Sequence, residues 1–252
     1  ALILKTVDKC KSFNIIQQKK SFIPVGMEFF NGVYYIITKK EDLIKYSSDF
    51  QNYSVVKFDS ELVFFKIKKL FGKLFLLSSN GVAYFSTDGN KWSKINFNRK
   101  VALFDIAQFN DSKGVIVGWG GAIYLTENGG FSWKELPKFT DKYLKGVSLT
   151  NSGNGLIVGA GGSIFRTNDF GKSWIEIKTE VKFGLTDVKF INKNIALIIG
   201  NRGTLLYSDN AGFDWKLIKT KKIQNFNSLV LDHYNKITYI TGNKGVLLKL
   251  KE

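Results

Sequence analysis

Residues 163–174 read SIFRTNDFGKSW, a short run suited to a strand, then a turn, then a tryptophan. The phrase returns as AIYLTENGGFSW at 122–133 and TLLYSDNAGFDW at 204–215, one residue shorter as VAYFSTDGNKW at 82–92, and in a worn form as LIKYSSDFQNY at 43–53. Aligned on the acid or amide of the turn, the anchors are Asp49, Asp88, Asn128, Asp169 and Asn210. A second marker keeps step: Gly81, Gly121, Gly162, Gly203 and Gly245. A fixed period of about 40 residues means a repeat architecture in which each unit buries its apolar face only against its neighbours.

The chemistry of the turn explains its persistence. A short side-chain acceptor can take backbone N–H bonds two residues on, and a Ser or Thr two positions earlier adds a hydroxyl. Gly130, Gly171 and Gly212 supply a residue that tolerates positive φ. The tryptophan then opens the next strand, where its large face closes a gap and its indole N–H can find a partner. These five anchors are therefore read as structural staples, since an active site is built once and not in every unit.

Within one period, residues 103–109, 114–119, 122–127 and 132–136 form four short β-branched and aromatic runs bounded by Gly, Asn or Asp. Four antiparallel strands in about 40 residues match a β-propeller blade. The last unit stops after three strands. Residues 3–6 (ILKT) match the fourth-strand endings EIKT (176–179) and LIKT (217–220). The expectation is one domain over residues 1–252, an all-β six-bladed propeller whose last blade is closed by the N-terminal strand.

The chain has 37 Lys and Arg against 21 Asp and Glu, a net charge of +16, and only three of the basic residues are arginine: Arg99, Arg166 and Arg202. A charge so far from zero sustains a surface potential suited to an anionic partner. Single residues of Cys (Cys10) and His (His233) exclude a disulfide framework and a zinc cluster of the Cys/His kind. No metal or cofactor is predicted. No apolar run approaches the roughly 18 residues that a spanning helix needs. Ala1 in place of Met suggests a removed leader and an extracytoplasmic location.

The turn pattern Ser/Thr-x-Asp-x-Gly-x-Ser/Thr-Trp resembles the Asp-box, or BNR, repeat of sialidase-like propellers. The fuller phrase GGSIFRTNDFGKSW is most similar to the photosystem II stability and assembly factor group. That resemblance implies a non-catalytic scaffold that helps a complex assemble. A sialidase resemblance would instead imply an arginine triad clamping a carboxylate, with a glycoside hydrolase or glycan-binding propeller as the alternative function. Arg99, Arg166 and Arg202 lack the matching sequence context, and Glu28, Asp105 and Asp187 form no evident carboxylate pair of the kind glycosidases need.

Strand alternation places the box turns at one end of the ring, and the strand-two-to-three and interblade loops at the other. The second end gathers Lys138, Lys142, Lys145, Lys178, Lys182, Lys219, Lys221, Lys222, Arg202 and Lys244, with Trp119 as an aromatic anchor. These residues are the predicted partner-binding set, for an acidic segment of a protein partner. An anionic membrane surface is a further candidate ligand, nucleic acid a poorer one because base-stacking aromatics are not interleaved with the lysines. The protein is expected to be monomeric on its own. Asp105, Lys145, Thr186 and Asn227 are read as equivalent positions lining a polar channel.

Overall fold

The computed structural model describes residues 2–6, 12–18, 23–39, 43–58, 62–220, 223–232, 234 and 236–251. Five four-stranded antiparallel sheets follow one another along the chain. The first blade comprises Pro24–Phe30, Val33–Thr38, Leu43–Ser47 and Tyr53–Val56. The second comprises Phe64–Leu70, Lys73–Ser78, Val82–Ser86 and Ser93–Asn96. The third runs through Leu103–Gln108, Gly114–Gly118, Ile123–Thr126 and Lys134–Glu135. The fourth holds Leu144–Leu149, Gly155–Gly159, Ile164–Thr167 and Ile175–Ile177, and the fifth Leu185–Phe190, Ala196–Gly200, Leu205–Ser208 and Lys216–Leu217. The sixth has three strands among the described residues: Phe226–Asp232, Ile237–Gly242 and Leu247–Lys251. Six antiparallel blades in tandem are the architecture of a six-bladed β-propeller. The residues group into two compact units, 1–103 and 104–252.

One strand pairs differently from the sequence expectation. Leu2–Lys5 is bonded antiparallel to Asn14–Gln18 in a two-stranded sheet, and the last blade's sheet ends at Leu247–Lys251. Closing a short local loop costs less chain entropy than joining the two ends of the chain. The intervening sequence, Thr6-Val7-Asp8-Lys9-Cys10-Lys11-Ser12-Phe13, repeats the order of residues 167–174, with Asp8 falling one repeat before Asp49. A Phe in place of Trp hides this copy from a tryptophan-anchored search. Residues 7–11, with Cys10, and His233 lie outside the described residues.

The box turns are built as hydrogen-bonded knots. In the full-length copies Thr126, Thr167 and Ser208 donate through their hydroxyls to Asn128, Asp169 and Asn210 at 3.0, 2.7 and 3.0 Å. The same hydroxyls accept the N–H of Gly130, Gly171 and Gly212 at 3.0, 3.1 and 2.9 Å. Those glycines have φ of 83, 79 and 84°. The anchor oxygen accepts the N–H four residues on, from Ser132, Ser173 and Asp214, each at 3.0 Å. Only in the shorter copies is the acceptor reach two residues, to Gln51 from Asp49 and to Asn90 from Asp88. The extra residue widens the loop by one turn position, which shifts the N–H that points inward. Trp133, Trp174 and Trp215 then donate their indole N–H to the carbonyls of Gly130, Gly171 and Gly212, each at 3.1 Å.

The apolar cores lie between blades. Trp174 packs on a cluster of Val115, Val117, Ile123, Leu144, Val147 and Ile157 from the third and fourth blades. Trp215 packs similarly on Leu156, Val158, Ile164, Leu185 and Val188 from the fourth and fifth. Burying each Leu, Ile or Val side chain contributes about 1.5–3 kcal/mol, so these interfaces are the main store of stability.

A further set of stitches joins the innermost strands. Glu28 Oε2 accepts the N–H of Lys69 at 3.0 Å, Asp105 Oδ2 that of Val147 at 3.1 Å, and Asp187 Oδ2 that of Leu229 at 2.9 Å. Ser148 Oγ accepts from Phe190 in the same way. Each of these bonds crosses one repeat of the chain. Asp105 and Asp187 are thus equivalent to each other and are buried, which corrects the equivalence drawn from sequence. Lys145, Thr186 and Asn227 each fall at a β-bulge, at Leu144/Gly146, Leu185/Asp187 and Phe226/Ser228, one residue before the position that Asp187 holds in its strand.

Candidate functional site

The turns that join the second and third strands share one geometry. Trp119–Gly121, Ala160–Gly162, Asn201–Gly203 and Asn243–Gly245 are single 3-10 turns whose second residue is left-handed: Gly120 at φ 60°, Gly161 at 65°, Arg202 at 54° and Lys244 at 57°. A residue with a side chain adopts that region at a cost of about 1–2 kcal/mol. Two of the four turns therefore bear a cation where the backbone itself favours glycine.

Interblade loops are tied to these turns from both sides. Ala160, Asn201 and Asn243 donate N–H bonds to the carbonyls of Tyr143, Gly184 and Asn225 in the loop before their blade. Gly121 and Gly203 donate to Lys142 and Gln224 in the loop after it. The recurrent glycine has its cause here. At Gly121 and Gly162 a Cβ would overlap the carbonyl oxygen of Thr140 or Val181, whereas at Gly245, in the sixth blade, it would meet nothing within 4 Å. Both loop types thus form one stitched end in the unit 104–252, as strand alternation predicts.

From that end, where Lys178, Lys182, Arg202 and Lys219 border it, one groove of about 950 Å³ reaches as far as Phe213, Asp214 and Trp215 of the fifth blade's box. Phe183, Leu206, Trp215 and Ile218 supply apolar lining, and Glu180 and Asp214 also border it. The Arg202 guanidinium lies 4.8 Å from the centre of the Phe183 ring, and its backbone N–H is bonded to Asn225 Oδ1 at 3.0 Å. Sequence reading found the cations but missed Phe183 and Ile218, whose position among lysines was the available signal.

The other predicted residues divide into smaller groups. Trp119 is 46% exposed and stacks on Tyr143 with ring centres 3.8 Å apart and planes at 22°. Nearby in sequence, Lys138 is paired with Asp141, and Lys142 with Glu176 at 3.0 Å. Such exposed pairs are worth about 0–1 kcal/mol, so they trim the local charge without fixing it. Lys145 is an exposed residue whose ammonium sits 3.6 Å over the Phe104 ring, and loss of water on that side holds it below the usual lysine pKa. Lys244 borders a separate hollow of about 250 Å³ with Gln224 and Leu247. Lys221 and Lys222 lie outside the described residues.

Of the residues considered for sialidase-like chemistry, Arg166 and the three carboxylates are used inside the fold, whereas Arg202 lies on the exposed turn described above. Arg166 is 8% exposed; its Nε donates to the Ala211 carbonyl at 3.0 Å and its Nη2 to Asn154 Oδ1 at 2.9 Å, with the guanidinium 3.7 Å over Phe213. It clamps the fifth blade's box to the fourth blade. Glu28, Asp105 and Asp187 cap backbone N–H groups of neighbouring blades, as described above.

The profile of a family described as Photosynthesis system II assembly factor YCF48 matches residues 85–184. No curated protein matches the chain by sequence. Among solved structures, YCF48 from Cyanidioschyzon merolae superposes with a TM-score of 0.79 at 14% identity, covering 99% of this chain and 88% of that one. A second, YCF48 bound to D1 peptide, gives 0.80 at 20% identity, covering 100% and 87%. The chain therefore has the fold of these β-propellers and, across its central blades, resembles the photosystem II assembly factor family.

Proposed function

We propose that this protein is a non-catalytic binding scaffold that uses its stitched, lysine-rich end to hold an acidic, extended segment of a protein partner, as an aid to the assembly of a larger complex. The observation that carries the reading is the convergence of Lys178, Lys182, Arg202 and Lys219 on a single groove with Phe183 at its side. A solved structure of this fold is described as bound to a peptide, which is consistent with the same use here. Basic side chains beside aromatic ones favour acidic peptides by charge and supply apolar anchoring as well. The glycosidase alternative loses ground because Arg166 is used inside the fold.

The test is association with a partner captured from the native source, measured against salt. Lys178→Glu, Lys182→Glu and Lys219→Glu together should slow association at least tenfold and flatten its salt dependence, since exposed charges are screened over about 8 Å at physiological ionic strength. A control triple reversal of Lys172, Lys193 and Lys216, all outside that groove, changes net charge equally. Equal binding by both triple variants, or equal loss, refutes the groove as the site.

A further inference from the structure

The basic groove changes chemistry along its length. At the stitched end Lys178, Lys182, Arg202 and Lys219 border it, with Glu180 among them, so cations outnumber carboxylates there. At the box end it is bordered by Phe213, Asp214 and Trp215, with Leu217 between the two ends. Asp214 accepts a hydrogen bond from the neutral Asn210 side chain at 2.8 Å, which leaves its negative charge in place. Lys216, nearest in sequence, is paired with Asp209 at 3.0 Å and does not line the groove. The potential therefore falls from positive to negative between the two ends.

The apolar side chains of the box half are exposed and at the same time held in place. Phe213 is 54% exposed, yet the Arg166 guanidinium lies 3.7 Å over its ring, and that arginine is itself bonded to Ala211 O and Asn154 Oδ1. The Trp215 indole is pinned to the Gly212 carbonyl at 3.1 Å. Leu217, in the fourth strand Lys216–Leu217, is 59% exposed. Single exposed apolar residues need no explanation, but these three share a groove with four cations. Surfaces fixed in advance lose little freedom when a ligand covers them. From Asp214 to Lys219 the chain takes five steps, which in extended form cover about 17 Å. An extended segment of similar length reaches both ends.

We propose that the groove reads two features of its protein partner together: acidic residues held at the stitched end by Lys178, Lys182, Arg202 and Lys219, and, roughly four to six residues away along an extended segment, an aromatic or large aliphatic side chain laid on Phe213, Trp215 and Leu217. The inference rests on the acidic-segment reading above and adds to it a second determinant and an orientation. Charge complementarity sets that orientation, because an acidic group at the far end would meet Asp214. It also argues against a nucleic acid strand, whose phosphate at every nucleotide would place one beside Asp214. The cations govern the rate of encounter and its salt dependence, whereas the apolar contact, as a desolvated anchor, governs how long the segment stays.

The probes are three fluorescein-labelled synthetic peptides titrated into the full chain and followed by anisotropy at low and high salt: one with three acidic residues, a short serine spacer and Trp-Leu, one with Trp-Leu replaced by Ser-Ser, and one with the acids replaced by serine. The first should bind saturably, and each of the others at least about tenfold more weakly at low salt. Leu217→Ser, at an exposed position, should weaken the first peptide about fivefold and leave the Ser-Ser peptide unchanged, with circular dichroism confirming the fold. A benzoylphenylalanine in place of the peptide's tryptophan should crosslink to residues 213–218 and not to residues 178–183, a result that needs no protein variant. Equal binding by the Trp-Leu and Ser-Ser peptides, no effect of Leu217→Ser, or crosslinks confined to residues 178–183 overturns the second determinant while leaving the acidic-segment reading intact. Equal binding by the acid-free peptide, or none by any of the three, overturns both. Tighter binding by a single-stranded oligonucleotide than by the first peptide overturns both as well.

Discussion

Replacing Arg166 with alanine tests whether this arginine belongs to the interior or to a ligand site. Its guanidinium makes two hydrogen bonds to neutral acceptors, Ala211 O at 3.0 Å and Asn154 Oδ1 at 2.9 Å, and covers the Phe213 ring at 3.7 Å. Hydrogen bonds with a charged partner contribute about 1.5–3 kcal/mol each, and a cation on a ring about 0.5–2 kcal/mol. The bonds share one side chain, so their effects do not add fully. The expected loss is about 3–5 kcal/mol, or roughly two to three and a half decades in the unfolding equilibrium at about 1.4 kcal/mol per decade. Urea unfolding followed by tryptophan fluorescence measures it, since Trp174 and Trp215 report on the blades the arginine joins. Arg202→Ala is the comparison: on an exposed turn, it should change stability by less than about 0.5 kcal/mol. A loss below about 1 kcal/mol in Arg166→Ala would refute the clamp and restore Arg166 as a candidate ligand residue.

Asp169→Asn should cost under about 1 kcal/mol, because Asn128 and Asn210 perform the same role in neighbouring boxes, whereas Asp169→Ala should cost about 1–3 kcal/mol by leaving Thr167 and Ser173 without their acceptor. Burial pushes the Asp169 carboxyl up, but the Ser173 and Thr167 hydroxyls and backbone N–H groups outweigh it and hold the pKa below the usual value. Its stabilising share is therefore complete above the unfolded-state pKa of about 3.9 and lost as pH falls through the lower native value; the urea midpoint should drop less between pH 5 and pH 2 in Asp169→Asn than in the parent. Gly121→Ala should destabilise the protein by more than about 3 kcal/mol, since its Cβ would strike the Thr140 carbonyl, while Gly245→Ala, with φ of 72° and open space around it, should cost only about 1–2 kcal/mol. Similar thermal shifts for the two would show that positive φ alone, and not loop stitching, keeps these glycines.

The blade was legible in the residues alone. Its period comes from a turn whose hydrogen bonds are local, and local bonds need a fixed order of residue types: a hydroxyl, an acid or amide two residues on, then a glycine and a tryptophan. Strand alternation then places the box turns and the cation-bearing loops at opposite ends of each blade, and the stitched turns at Gly121 and Gly203 have that arrangement. Whatever depends on residues far apart in the chain emerged only in three dimensions. Asp105 and Asp187 looked like loose carboxylates because their N–H partners lie a whole repeat away, and only those partners show the two to be equivalent. Phe183 and Ile218 join the basic groove only through the packing of one interblade loop beside the next.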